Sequence, residues 1–142
     1  MSVYPIELIS IEEKNQLMDK YTEKILYEVK SDIYGCCIKL LTNLKHVKER
    51  WEENFYAMST ATRSHGRLVV VEDPDKPMKV LYDPQSKTAF LLNFTYYGWI
   101  KSLALSVAGD VLEDEHATYS VHGACLDVNG CGLCLMGVSG SG

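Results

Sequence analysis

After Lys101 the 142-residue sequence contains no lysine or arginine, while Asp110, Glu113, Asp114, Glu115 and Asp127 all follow. An anion bound in this tail would have to be held by backbone amides, with no side-chain cation beside them. No apolar run approaches the roughly 18 residues of a membrane span. Glu7, Glu12 and Glu13 stand where a secretory leader needs an apolar core. There is no low-complexity tract and no internal repeat, so a disordered or fibrous chain is excluded. The net charge of −5 opposes nucleic acid or an anionic membrane surface as the main partner. The five cysteines (36, 37, 125, 131 and 134) are odd in number and lie inside apolar runs, so they read as reduced, buried thiols of a cytoplasmic protein.

What is present is an ordinary globular composition, 46% hydrophobic and 23% charged, on a chain long enough for one sizeable core. Ser10-Ile11-Glu12-Glu13 has the form of a capping box, and Leu17, Met18, Tyr21 and Ile25 follow at helical spacing; together they predict a helix over about 11–22. Alternation at Ile25, Tyr27 and Val29 predicts a strand, Ser31-Asp32 a turn, and Tyr34 to Thr42 a partner strand. Asn43 is expected to start a second helix with Leu44, Val47, Trp51, Phe55 and Met58 on one face. Further on, residues 67–71 read as a buried strand, 80–82 and 88–92 as a hairpin, and 97–107 as a helix with Ile100, Leu103, Ala104 and Val107 inward. Residues 119–128 and 132–136 read as two strands joined by Asn129-Gly130, a dipeptide suited to the positive φ angles of a type I′ turn. The fold class is therefore α/β (α+β). A division is expected in the polar stretch from Ser59 to Gly66, giving a small α/β module over 1–62 and a second unit over 63–142.

The tail 137–142 (Gly137, Val138, Ser139, Gly140, Ser141, Gly142) matches the first six positions of a Walker A phosphate loop, G-x-x-x-x-G. Glycines let successive amides curl round phosphate oxygens and keep Cβ atoms clear of them. The lysine and the Ser or Thr that complete the motif would fall at the next two positions. The hexapeptide by itself also fits a flexible serine-glycine tail. What favours the loop is the apolar strand that leads straight into Gly137.

The longer stretch from Ser120 through His122-Gly123, Asn129-Gly130 and Gly137 to Gly142 resembles the start of the catalytic domain of HPr kinase/phosphorylase. That family has a histidine-glycine pair on a strand, a tight turn, a second apolar strand and then the Walker A loop. The resemblance implies ATP and Mg²⁺ as cofactors and a hydroxyl acceptor on a protein or a small molecule. It implies His122 beside the γ-phosphate, either assisting proton transfer or orienting the acceptor, and a possible homo-oligomer. The chain is then expected to be the N-terminal part of such a kinase, ending inside the loop and inactive alone. ATP-dependent phosphoenolpyruvate carboxykinase shares this nucleotide-binding core. Its metal-binding lysine segment is similar to Tyr97-Gly98-Trp99-Ile100-Lys101-Ser102, which makes a carboxykinase-like lyase the alternative. A non-catalytic ligand-binding or regulatory module in residues 1–118 is a third reading.

The remaining candidates have simpler explanations. Lys101 suits the polar face of its helix. Cys131 and Cys134 form a C-x-x-C without a second pair to complete a zinc site, and on a strand residues three apart face opposite ways. Ser139 and Ser141 are loop residues, not nucleophiles. Asp73, Asp75 and Asp83 flank prolines and read as turn residues.

Overall fold

The computed structural model describes residues 5–141. Its elements in chain order are β1 (Ile6–Leu8), α1 (Ile11–Thr22), β2 (Tyr27–Ile33), β3 (Cys36–Thr42), α2 (Lys45–Asn54), β4 (Tyr56–Ala57), β5 (Gly66–Val71), β6 (Lys79–Asp83), β7 (Thr88–Leu92), α3 (Tyr97–His116), β8 (Ala124–Val128) and β9 (Cys131–Leu135). The class is α/β, as the periodicities imply. The first seven strands form one mixed sheet in the order β1-β6-β7-β5-β3-β2-β4, and β8 and β9 form a separate two-stranded sheet.

The central strands β3, β5 and β7 pair in parallel and are covered on both faces. That is why their sequences are continuous apolar runs and not alternating ones. Val69, Val71, Phe90 and Leu92 face α1 and pack with Tyr21 and Ile9. Leu68, Val70, Ala89 and Leu91 face the other way, against Val47 and Trp51 of α2 and Ile100, Ala104 and Val107 of α3. Burying one such large side chain stabilises by about 1.5–3 kcal/mol.

Local signals set several boundaries. The Ser10 hydroxyl accepts from the Glu13 amide at 3.2 Å, and the Glu13 carboxylate accepts from the Ser10 amide at 2.8 Å, so the capping box is formed. Asn43 does not cap α2; Leu44 holds that position without a side-chain bond. Asn43 instead bonds Glu72 in the next crossover, accepting from its amide at 3.1 Å. Phe55 lies past the end of α2 yet stays on the core, its ring 4.8 Å from that of Trp51. The expected turn at Ser31-Asp32 is displaced to Tyr34-Gly35, where φ is 58° and 83°. Ser31 is mid-strand and buried, because its hydroxyl accepts the Trp51 indole N–H at 2.8 Å. A hydroxyl read as a turn signal is there to satisfy a buried donor.

Helix α3 runs nine residues beyond the expected 107, to His116. Its apolar face continues through Ala108 and Val111, both fully buried, and the helix stops where Ala117 turns left-handed at φ 48°. The Ser59–Gly66 stretch does not separate two sheets. It links β4 to β5, and β5 lies directly beside β3 of the preceding half. No helix among the described residues is long and apolar enough to cross a membrane.

Candidate functional site

Asn129 and Gly130 take φ values of 52° and 83°, the type I′ pattern that the dipeptide favours. The Gly130 amide donates to Asp127 Oδ1 at 2.8 Å. This turn sets the register of β8 against β9, from Val128 opposite Cys131 out to Ala124 opposite Leu135. The ladder ends there, but Gly123 still lies against the facing strand. A Cβ on Gly123 would lie 2.7 Å from the Leu135 carbonyl oxygen and 3.0 Å from Met136 Cγ, so only glycine lets the two chains stay this close.

The loop beyond β9 is curled. The Ser141 amide donates to the Val138 carbonyl at 3.1 Å, and Gly140 has φ +87°. These are the bond and the third-position angle of a type II turn, which calls for glycine there. Gly137 lies against the Ser141 hydroxyl, in space that any side chain at 137 would occupy. Among the described residues the Ser139 and Gly140 amides make no backbone hydrogen bond. Val138, Ser139 and Ser141 are exposed, as is His122. Gly142 lies outside the described residues. The hairpin is thus flanked by His122 two residues before β8 and by the curled loop 137–141 just after β9. Lys101 is separate, on the exposed side of α3.

Three thiols were misjudged from sequence. Cys36 and Cys37 are buried, but Cys125, Cys131 and Cys134 are exposed. The reason is that, among the described residues, β8 and β9 pair only with each other and no layer covers either face of their sheet. Cys131 and Cys134 do point to opposite faces; Cys134 is instead the cross-strand partner of Cys125. Among the described residues no group of three or more His, Cys, Asp or Glu is placed to hold a metal ion.

Two charged networks in the large sheet were not foreseen. Asp73, read as a turn residue, is 1% exposed. It accepts from Lys20 Nζ and from the Tyr21 hydroxyl, each at 2.9 Å. The lysine and tyrosine hydrogen bonds hold its carboxyl well below the usual range. The buried Lys87 donates to Asp110 at 2.9 Å and also to Asp114, and Tyr82 donates to the same Asp110 oxygen. Burial, and then the Asp110 bond, pushes the Tyr82 phenol far above its ordinary range.

A third feature sits beside Lys87. A cleft of about 770 Å³ opens at the start of β5, lined by Arg63, His65 and Arg67 from that segment and by Asp114 and Glu115 from the end of α3. A clue was legible in the sequence as Arg63-Ser64-His65-Gly66-Arg67, but its acidic wall comes from a helix end nearly fifty residues away.

No protein family, no curated protein and no solved structure matches this chain.

Proposed function

We propose that residues 137–142 form the amide half of a phosphate-binding loop in an ATP-dependent phosphotransferase of the HPr kinase type. The observation that carries this reading is the β8–β9 hairpin, whose second strand leads directly into a curled glycine loop. The donor set suits phosphate in part. Among the described residues the amides of Ser139 and Gly140 make no backbone hydrogen bond, and the space beside Gly140 is open, as an anion nest requires. ATP bound here would supply the γ-phosphoryl group. Backbone amides from Val138 to Ser141 would hold phosphate oxygens. His122 would orient the acceptor hydroxyl or take its proton, work to which a neutral imidazole is suited. The described residues assign neither the cation for the β/γ phosphates nor the ligands for Mg²⁺, so this reading requires Lys and then Ser or Thr after Gly142 in the natural protein.

The acceptor is a hydroxyl, on a protein serine or a small metabolite. The open outer edges of β8 and β9 would let copies of the chain pair. The test is γ-phosphoryl transfer from labelled ATP with Mg²⁺ by the natural protein. His122→Ala is expected to slow transfer by on the order of a hundredfold while leaving the fold intact. ATP turnover that depends on oxaloacetate would replace this reading with the carboxykinase one. Transfer unchanged by His122→Ala would remove the histidine's role.

A further inference from the structure

We infer that the cleft at the start of β5 binds a small zwitterion, its acid group on Arg63, Arg67 and His65 and its ammonium group on Glu115. This assignment shares no residue with the phosphate loop and stands or falls apart from it.

The cleft, at about 770 Å³, lies in the size range of small-molecule sites, about 300–1,000 Å³. Its lining is almost wholly polar; Pro84 is the one hydrocarbon side chain. Its arginines and histidine come from positions 63–67 and its acidic residues from the end of α3, and among the described residues no ion pair joins the arginines to either acid. Among the described residues the side chains of Arg63, Arg67 and Glu115 make no hydrogen bond or ion pair with any other group. Lys87 does not upset this division, because Asp110 and Asp114 more than offset its charge and leave that side net negative. What lines the open volume is two guanidinium groups from residues 63–67 and the Asp114 and Glu115 carboxylates from the end of α3.

His65 adds direction. Its own amide donates to the Cys37 carbonyl at 2.8 Å, and its Nδ1 accepts from the Cys37 amide at 2.8 Å. An Nδ1 that accepts has no proton, so the neutral ring carries its hydrogen on Nε2. The ring is fixed at two points and can offer a donor on the same wall as the arginines. Guanidinium groups bind carboxylate or phosphonate through paired N–H bonds. The supports are rigid: Arg67 lies in β5, and Glu115 follows the Asp114 that Lys87 anchors to the end of α3. A simple anion would face Glu115 and a simple cation would face the arginines. A molecule bearing both charges satisfies both walls.

The test is calorimetric titration of glycine, β-alanine, γ-aminobutyrate and 6-aminohexanoate, with acetate and ethylammonium as half-ligands, each up to about 10 mM. The panel varies the distance between charges, so one member is expected to bind about tenfold more tightly than either half-ligand. The double variant Arg63→Gln/Arg67→Gln should abolish that binding, and Glu115→Gln should weaken it about tenfold. Arg63 and Glu115 are exposed, so both single variants at these positions should keep the native melting temperature; Arg63→Gln alone serves if the double variant is unstable. No binding by any of the four amino acids overturns the proposal. So does binding unchanged by these variants, or acetate binding as tightly as the best amino acid.

Discussion

Asp32, Ile33, Tyr34, Gly35 and Cys36 close the β2–β3 hairpin; Asp127, Val128, Asn129, Gly130 and Cys131 close β8–β9. The two turns are built alike. Each has a non-glycine residue and then a glycine at positive φ, and in each the glycine amide donates to the aspartate three places before it, at 2.7 and 2.8 Å. Their surroundings differ completely. β3 pairs with β5 on its far side and is covered on both faces. β9 pairs with β8 alone, and all ten residues of those two strands are exposed. The turn sequence dictates that a hairpin forms and in what register. Whether it becomes core depends on what else the chain lays against it.

That contrast can be tested most sharply through the thiols. In the native protein Cys125, Cys131 and Cys134 should react promptly with a thiol reagent, while Cys36 and Cys37 should react slower by on the order of a thousandfold or more, since they are reached only through unfolding. Uniform reactivity of all five would break the comparison. Truncations come next. Leu40→Ala in β3 should cost about 2–5 kcal/mol in urea unfolding followed by tryptophan fluorescence, whereas Leu133→Ala in β9 should stay within about 0.5 kcal/mol. The turns offer a smaller effect. Tyr34 holds φ 58° without glycine, so Tyr34→Asn should raise global stability by up to about 1 kcal/mol, while Asn129→Ala should loosen only its own hairpin, seen as faster amide exchange at β8 and β9.

Acid separates the regions in another way. Asp73 has a folded-state pKa below its unfolded value. Its contribution is therefore complete above about pH 4 and is lost as pH falls through the folded value. Acid unfolding of the large sheet should be blunted in Asp73→Asn, which is less stable at neutral pH and loses less below pH 4. An acid limb as steep as that of the parent would contradict the Lys20–Tyr21–Asp73 assignment.

Much of this was legible in the residues. Ser10 and Glu13 announced the start of α1, and Asn129-Gly130 announced its hairpin, because both are contacts over three residues or fewer. The apolar runs at 67–71 and 88–92 revealed buried strands. What escaped depends on distant partners. Asp73 reads as a turn residue until Tyr21, fifty-two positions away, is placed against it. Ser31 and Asn43 carried the composition of turns and caps, but tertiary bonds claimed their side chains. The exposure of three cysteines could not be read from an apolar run, since periodicity describes a strand's faces and not whether another layer covers them. Arg67 and Glu115 meet across a cleft only because β5 and the end of α3 lie together.

The most direct test of the phosphate-loop reading is an amide NMR titration of this chain with ATP. Binding at about 1 mM or weaker is expected, since the side-chain cation is missing. The shifts should fall on Val138 to Ser141 and on His122, and be absent at the matching turn Tyr34–Gly35. They should also vanish in Gly140→Val, which cannot readily hold φ +87°. No shift at those amides up to about 10 mM ATP, or shifts that survive Gly140→Val, would contradict it.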